Sequence, residues 1–326
     1  MPVHVGLTYN LKQDAPDRER AKDWTAEYES PETIERIVAA LQAGGHAVTR
    51  FPFSPDLVDR LAAARPELVF NIAEGWHGRN RESLVPAICE FLELPFTGSD
   101  ALSLGLALDK AMAKRVVAAA NVPTPPMWLI ADPVQLGYSP ITFPAFVKPN
   151  AEGSSKGVRA KSRVETPEQL AERVHWVLET YRQPALVETF LPGREFTVGV
   201  LGNQVLEALP IIEVQAEEDL GDPFVYSYET KAENRERFSC PALLDDETER
   251  GLIAIAFGAF RALDCRDVGR VDVRMDALGH PYFLEINPLP GLSAQSLLPM
   301  QAAAAGIDFA GLVLRILEHA RARYGL

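Results

Sequence analysis

Cysteine is scarce in this chain, with three among 326 residues. Cys89, Cys240 and Cys265 stand too far apart for a paired metal spacing or a disulfide framework, so each reads as a small buried apolar residue. Histidine is scarce as well, and no two of the six are spaced as His-x-x-x-His, which argues against a zinc centre. No apolar run approaches the length of a membrane-spanning helix. The opening Met1-Pro2-Val3-His4-Val5 has no basic region followed by a cleavage site, so a cytoplasmic protein with no membrane partner is expected. Positive charge is in deficit, with 32 Lys and Arg against 45 Asp and Glu. The formal net charge of -13 would repel a phosphate backbone, and nucleic acid is not an expected partner. Internal repeats and low-complexity tracts are missing too.

What the chain does have is alternation. Val3–Tyr9 reads as an apolar strand. Ser30 then caps a helix with Pro31 at its first position and Glu32 in its first turn. Ile34, Ile37, Val38 and Leu41 recur at helical spacing, and Gly44-Gly45 stops the helix. Ala47–Phe51 and Leu68–Ile72 read as further strands, with helical patterns at 56–64 and 82–93. Such alternation predicts a doubly wound, parallel α/β domain over residues 1–98. The polar segment from Asn10 to Glu29 is long for a strand-to-helix connection, and reads as a substrate lid or simply as mobile chain.

A helix begins near Asp109 and ends at Pro123, Pro125 and Pro126. Beyond it the pattern turns to α+β, in a central lobe over 99–184 and a C-terminal lobe over 185–326. Strands are expected at Phe143–Lys148, Val158–Ala160 and Ala185–Phe190, with a helix from Pro167 to Tyr181. Glu195–Leu201 and Gln204–Leu209, joined by Gly202-Asn203, read as a hairpin. The polar stretch Ala216–Ser239 reads as a loop, followed by a helix near 246–263, a second hairpin and a last helix ending near Tyr324.

Two segments carry chemistry. In the second hairpin, Leu278-Gly279 can form a two-residue tip, which sets Asp272 opposite Glu285 and Arg270 opposite Asn287. Strand alternation then projects all four from one face. Two carboxylates so opposed repel by roughly 4 kcal/mol at about 4 Å and an effective dielectric near ~20. Either a hard divalent cation with oxygen ligands offsets this, as Mg²⁺ does beside substrate phosphates, or the acids pair with Arg270 and Arg274. The other segment is Glu152-Gly153-Ser154-Ser155-Lys156-Gly157-Val158, just after Lys148. Small residues there let backbone N–H groups approach a phosphate, although a glycine–serine turn reads equally well and the P-loop pattern is absent.

Taken in order, these segments resemble the ATP-grasp ligases, and specifically the D-alanine–D-alanine ligase branch. The resemblance runs from Pro95-Phe96-Thr97-Gly98-Ser99 through Leu108-Asp109-Lys110, Phe146-Val147-Lys148-Pro149 and the Glu152–Val158 loop. It continues through Val187–Val198, Tyr226–Lys231, Cys240-Pro241-Ala242, Arg270–Asp272 and Glu285–Pro299. It implies an ATP-grasp fold behind the N-terminal domain, and an ATP-dependent ligase joining a carboxylate to an amine through an acyl phosphate. It further implies ATP and Mg²⁺ as cofactors (Mn²⁺ as a substitute), small amino-acid or carboxylate substrates, and a homodimer.

By the same resemblance Lys110 and Lys148 hold the ATP phosphates, with Glu152, Ser154 and Ser155 in the loop that folds over them. Glu188, Phe190 and Leu191 line the adenine pocket, Glu195 binds the ribose and Lys231 reaches a phosphate. Asp272, Glu285 and Asn287 are the implied metal ligands. Arg270 and the Gly291 N–H stabilise the tetrahedral intermediate, and Ser154 links the groups around the first substrate. Ser296 and the backbone at Leu297 grip the carboxylate of the second amino acid, although Ser296 reads equally as a helix cap.

Departures gather at the first substrate. The segment Asn71–Glu82 keeps a shifted His77-Gly78 but lacks the family's acidic glycine run. Its N-terminal glutamate falls on Tyr28, with Glu27 and Glu29 adjacent, and its mobile-loop tyrosine is Ala232. Glu29 and His77 are the substrate candidates here, His77 reading otherwise as an ordinary surface histidine. The departures open a second reading, a dipeptide or secondary-metabolite amino-acid ligase with a different substrate pair. An ATP-grasp phosphotransferase and a non-catalytic nucleotide-binding regulator are further alternatives. The segment after Asn287 argues against the former, and the joint retention of Arg270, Asp272, Glu285 and Asn287 against the latter.

Overall fold

A computed structural model describes residues 1–12, 21, 23–216 and 236–326. Lys231, Tyr226 and Ala232 lie outside the described residues. The first strand, β1 (His4–Tyr9), sends Val5, Leu7 and Tyr9 to one face and Gly6 and Thr8 to the other. It is the middle strand of a parallel sheet, flanked by β2 (Ala47–Pro52) and β3 (Leu68–Ile72). Helix α1 (Pro31–Ala43) starts where the Ser30 hydroxyl accepts the Thr33 N–H at 3.2 Å. Its Ile34, Ile37 and Leu41 pack on the Val5–Leu7 face, beside Leu312, Val313 and Ile316 of the terminal helix α9 (Phe309–Tyr324). Helices α2 (Leu57–Ala64) and α3 (Leu84–Phe91) cover the opposite face around Phe51, Val69 and Cys89. Helices on both faces of a parallel sheet make the doubly wound arrangement expected.

Where one helix was expected near Asp109 there are two, α4 (Ala101–Leu108) and α5 (Lys110–Ala119). Asp109 ends the first and caps the second, its carboxylate accepting the Met112 N–H at 3.1 Å. Two antiparallel sheets follow. One has the order β4 (Met127–Ile130), β7 (Ala185–Thr189), β5 (Ala145–Pro149), β6 (Arg163–Val164), and α6 (Pro167–Tyr181) covers it through Leu170, Val174 and Val177. The strand expected at Val158–Ala160 is absent. Ala160–Ser162 is a 3₁₀ turn, with the Ser162 hydroxyl accepting the Arg159 N–H at 3.0 Å, and the strand begins only at Arg163.

The other sheet has the order β11 (Glu236–Ser239), β10 (Ile212–Ala216), β8 (Glu195–Gly202), β12 (Asp267–Met275), β13 (Pro281–Asn287), with β9 (Leu206–Ala208) paired to β8. Helix α7 (Asp246–Ala262) packs Leu252, Ala256 and Phe260 against it. The β8–β9 turn is Asn203–Val205 rather than Gly202-Asn203, since Gly202 pairs with Leu206. Asn203 is drawn off to β12, where its amide donates to Asp267 at 2.9 Å and its carbonyl accepts the Asp267 N–H at 3.0 Å.

The β12–β13 hairpin pairs Arg270 with Asn287 and Asp272 with Glu285, as expected, but by another route. Its tip is three residues long, Ala277-Leu278-Gly279 between Asp276 and His280, with Gly279 at φ +85°. A bulge at Leu284 then adds a residue to β13. The two shifts cancel. Helix α8 (Leu297–Ala304) lies beyond, and among the described residues no single helix is long and apolar enough to cross a membrane.

Candidate active site

The two antiparallel sheets face one another across a cleft. From β5 and β7 come Phe146, Lys148 and Glu188, which share a face because Phe146 and Glu188 are register partners. Phe190 stacks on Phe146 at 6.3 Å, and Leu191 completes the apolar end. Arg163 and Arg274 lie over the Phe190 ring at 5.1 and 5.2 Å. Glu188 is held between Lys148 at 2.7 Å and Lys114 at 2.9 Å. Burial works against its carboxylate, but the two ammonium groups hold its pKa below the usual value. Lys114, fully buried, is pushed down to about 8 by desolvation, with Glu188 opposing.

The hairpin forms the opposite wall. Asp272 is bridged by Arg270 at 3.2 and 3.1 Å, accepts the Thr197 hydroxyl, and lies 3.3 Å from the Asn287 amide. Glu285 lies 3.2 Å from Lys110. Burial would raise the Glu285 carboxyl, but Lys110, Lys148 and Arg270 outweigh it and hold the pKa at about 2. Glu195, next along β8, pairs with Arg274 at 2.8 Å, so the expected Arg274 partner is Glu195 and not a hairpin acid. The Leu284 bulge puts Leu284 and Glu285 on the same wall, where a regular strand would turn them to opposite faces. Two carboxylates and a neighbouring amide, all offering hard oxygen donors beside two lysines, fit a magnesium ion beside phosphates.

The loop 152–158 closes one end. Ser154, Ser155 and Gly157 have φ of 50°, 58° and 73°, and a Cβ on Gly157 would run into Pro149. Lys110 donates to the Glu152 carbonyl. The segment after Asn10 grips this loop at both ends. Glu27 accepts the Gly153 N–H at 2.8 Å, and buried Asp23 accepts the Gly157 N–H at 3.1 Å and the Tyr181 hydroxyl at 2.8 Å. Lys156 reaches Glu27 at 2.6 Å and Glu152 at 2.5 Å.

A second pocket opens beyond Arg270, lined by Glu27, Glu74, Glu82, Lys110, Asn287 and Gly291 among others. Gly291 is there because Ser296 presses on it: a Cβ would stand 2.9 Å from the Ser296 hydroxyl. Ser296 caps α8 in backbone only. Its hydroxyl meets Ser293 at 2.9 Å and leaves the Leu297 end of the helix without a side-chain cap.

A family model for the D-ala D-ala ligase C-terminus matches residues 132–318, more than half of the chain. The D-alanine–D-alanine ligase of Pelotomaculum thermopropionicum is 31% identical over 308 residues, 91% of this chain and 93% of its own. The chain belongs to the D-alanine–D-alanine ligase family. An uncharacterised protein of Sinorhizobium fredii is 35% identical over 298 residues, covering 89% of this chain and 88% of its own. In fold, the ATP complex of the D-alanine–D-alanine ligase from Bacillus anthracis aligns over 99% of both chains with a TM-score of 0.75, at 22% identity.

Within this family member, two of the candidate substrate residues lie away from the inner pocket. Glu29 does not face the inner pocket: its carboxylate lies behind the 291–292 turn and accepts the Leu292 N–H at 3.3 Å, while Glu27 lines the pocket. Glu29 and Glu27 alternate about buried Tyr28, whose hydroxyl donates to Gly75 O at 2.9 Å. His77 is exposed on an outer cavity with Trp24, Trp76 and Tyr181. Sequence reading missed Lys114, Arg81, Glu74 and Glu82. Lys114 had a signal, standing one helical turn from Lys110 on the same face.

Proposed function

We propose that the chain is an ATP- and Mg²⁺-dependent ligase that joins the carboxylate of one amino acid to the amine of another. The observation that carries this reading is the common face of Arg270, Asp272, Glu285 and Asn287, set across the cleft from Lys110 and Lys148 and opening onto a separate polar pocket. A carboxylate is a poor electrophile, so it first receives the γ-phosphoryl group of ATP as an acyl phosphate. The amine attacks that carbonyl, phosphate leaves, and an amide results.

Lys110 and Lys148 take the phosphate charge, with the 152–157 loop laid over it. Phe146, Phe190 and Leu191 hold the base beside Glu188, and Glu195 faces the ribose. Mg²⁺, held by Asp272, Glu285 and Asn287, would screen the phosphate oxygens. Arg270 and the Gly291 N–H face the oxygen that gains negative charge as the carbonyl carbon becomes tetrahedral, and Ser296 with the start of α8 faces the second carboxylate. The chain need supply no covalent nucleophile; positioning and charge suffice.

We divide the chain at 1–98, 99–184 and 185–326, and place it in the cytoplasm as a homodimer. Exposed Leu84, Phe91 and Leu102 on α3 and α4 support a partner face. The testing experiment is ATP-dependent phosphate release against single and paired D- and L-amino acids, with products identified by mass spectrometry. An amide with stoichiometric free phosphate is expected. Label from ATP retained on an organic acceptor would replace this reading with a phosphotransferase.

A further inference from the structure

The pocket beyond Arg270 holds more carboxylates than its cations can serve. Gly75 fixes Glu74 in place: its N–H donates to Asn10 at 3.0 Å, and at φ +69° a Cβ would strike the Arg81 carbonyl. Glu82 follows Arg81 into the start of α3. The carboxylate oxygens of Glu27, Glu74 and Glu82 lie within 4.8 Å of one another, and Glu152 lines the same pocket.

Two cations stand among these four acids, and both are committed. Arg81 contacts both Glu27 oxygens at 3.0 Å and donates to Ala151 O at 2.8 Å. Lys156 serves Glu27 and Glu152. Lys110, across the pocket, pairs with Glu285. Glu82, with 7% exposure, accepts no hydrogen bond among the described residues, and its nearest cation is Arg81 at 3.6 Å. Glu74 has neither hydrogen bond nor ion pair among the described residues. Burial and mutual repulsion push both carboxyls upward, Glu82 to about 7.

We propose that this pocket selects a short diamino acid as the first substrate, its two ammonium groups received by Glu74 and Glu82. The inference rests on the ligase reading for the fate of the substrate's carboxylate, which would lie towards Arg270 and Gly291. Two acids that hold no hydrogen-bonded cation match two ammonium groups; an amino acid with one ammonium leaves one of the two without a partner. A metal ion fits less well, because Arg81 and Lys156 already stand on Glu27, the third acid of the trio.

The test compares D- and L-2,4-diaminobutyrate with norvaline, which replaces the terminal ammonium by a methyl group at the same length. Binding is measured by calorimetry on the full chain with Mg²⁺ and a non-hydrolysable ATP analogue, and phosphate release with ATP. One diaminobutyrate enantiomer should bind at least about tenfold tighter than its norvaline counterpart, a difference of ~1.4 kcal/mol. Glu74→Gln and Glu82→Gln should each cut that preference several-fold, with the response to the ATP analogue reporting that the variants are folded. Equal binding of norvaline, or a preference that survives both substitutions, overturns the proposal. So does tight binding of Mn²⁺ or Zn²⁺ without nucleotide that Glu74→Gln abolishes. Phosphate release with neutral amino acids but no diaminobutyrate preference would leave the ligase reading standing without this inference. Selective diaminobutyrate binding with no release for any amine would support the pocket and remove the ligase reading.

Discussion

Lys114 carries a charge with no exposed surface, and its neighbours explain how. Its ammonium reaches Glu188 and also donates to the Thr124 hydroxyl at 3.0 Å and the Phe283 carbonyl at 3.2 Å. Removing one partner of such a pair leaves the other buried and uncompensated. Lys114→Met should therefore cost about 3 kcal/mol of stability in chemical denaturation and weaken ATP binding roughly tenfold through Glu188. A variant as stable as the parent would make the ion pair dispensable. Glu82 behaves in the opposite sense. Its carboxyl is raised from 4.5 to about 7 in the fold, chiefly by burial. Between those values the unfolded chain has released the proton and the folded chain retains it, so stability falls as pH rises across that window. Glu82→Gln should lose this slope and gain on the parent from about pH 5 to about pH 8, by at most on the order of 3 kcal/mol. Glu285, held down at about 2, instead contributes stability above 4.5 that is lost as pH falls towards 2.

Among the elements, the 152–158 loop depends on a backbone that few residues accept. Gly157 combines a φ of 73° with a position at which an added Cβ would strike Pro149 and Tyr181. Gly157→Ala should lower the melting temperature by several degrees and raise KM for ATP more than it lowers kcat, since the loop would no longer seat. An unchanged KM would show that the loop adapts. Much of this scale was legible in sequence. The parallel sheet, α1 and its cap, and the α6 boundaries follow from apolar period and capping residues. The Asp272–Glu285 register was legible only because the longer tip and the Leu284 bulge offset each other, and neither leaves a local sequence mark. The strand expected at Val158–Ala160 failed because Ser162 captures the Arg159 N–H. Glu29 and Glu27 were indistinguishable because an irregular segment has no period from which to read a facing side.

At the scale of the whole molecule, the three clustered acids of the inner pocket come from three separate places, Glu27 before α1, Glu74 after β3 and Glu82 before α3. Only the fold brings them together, which is why the sequence left them unassigned. The same packing disposes of the thiols. Burial pushes Cys89 and Cys265 up to about 12, while Cys240 is only half-buried. A thiol reagent at neutral pH should therefore modify Cys240 alone in the folded protein and all three cysteines after denaturation. Rapid modification of Cys89 would mean that the packing of α3 on the first sheet opens readily.

Glu27 belongs to two compartments at once. On one side it anchors Gly153 and Lys156 of the 152–158 loop, and on the other it borders the inner pocket beyond Arg270. A ligand that draws on this carboxylate from the pocket changes what holds the loop, and a nucleotide that reorders the loop changes what the pocket offers. Thermodynamic reciprocity then fixes the relation between them: the factor by which the amino acid alters the dissociation constant of ATP is the factor by which ATP alters that of the amino acid. The wall between the two pockets would thus also be the means by which each registers the occupancy of the other.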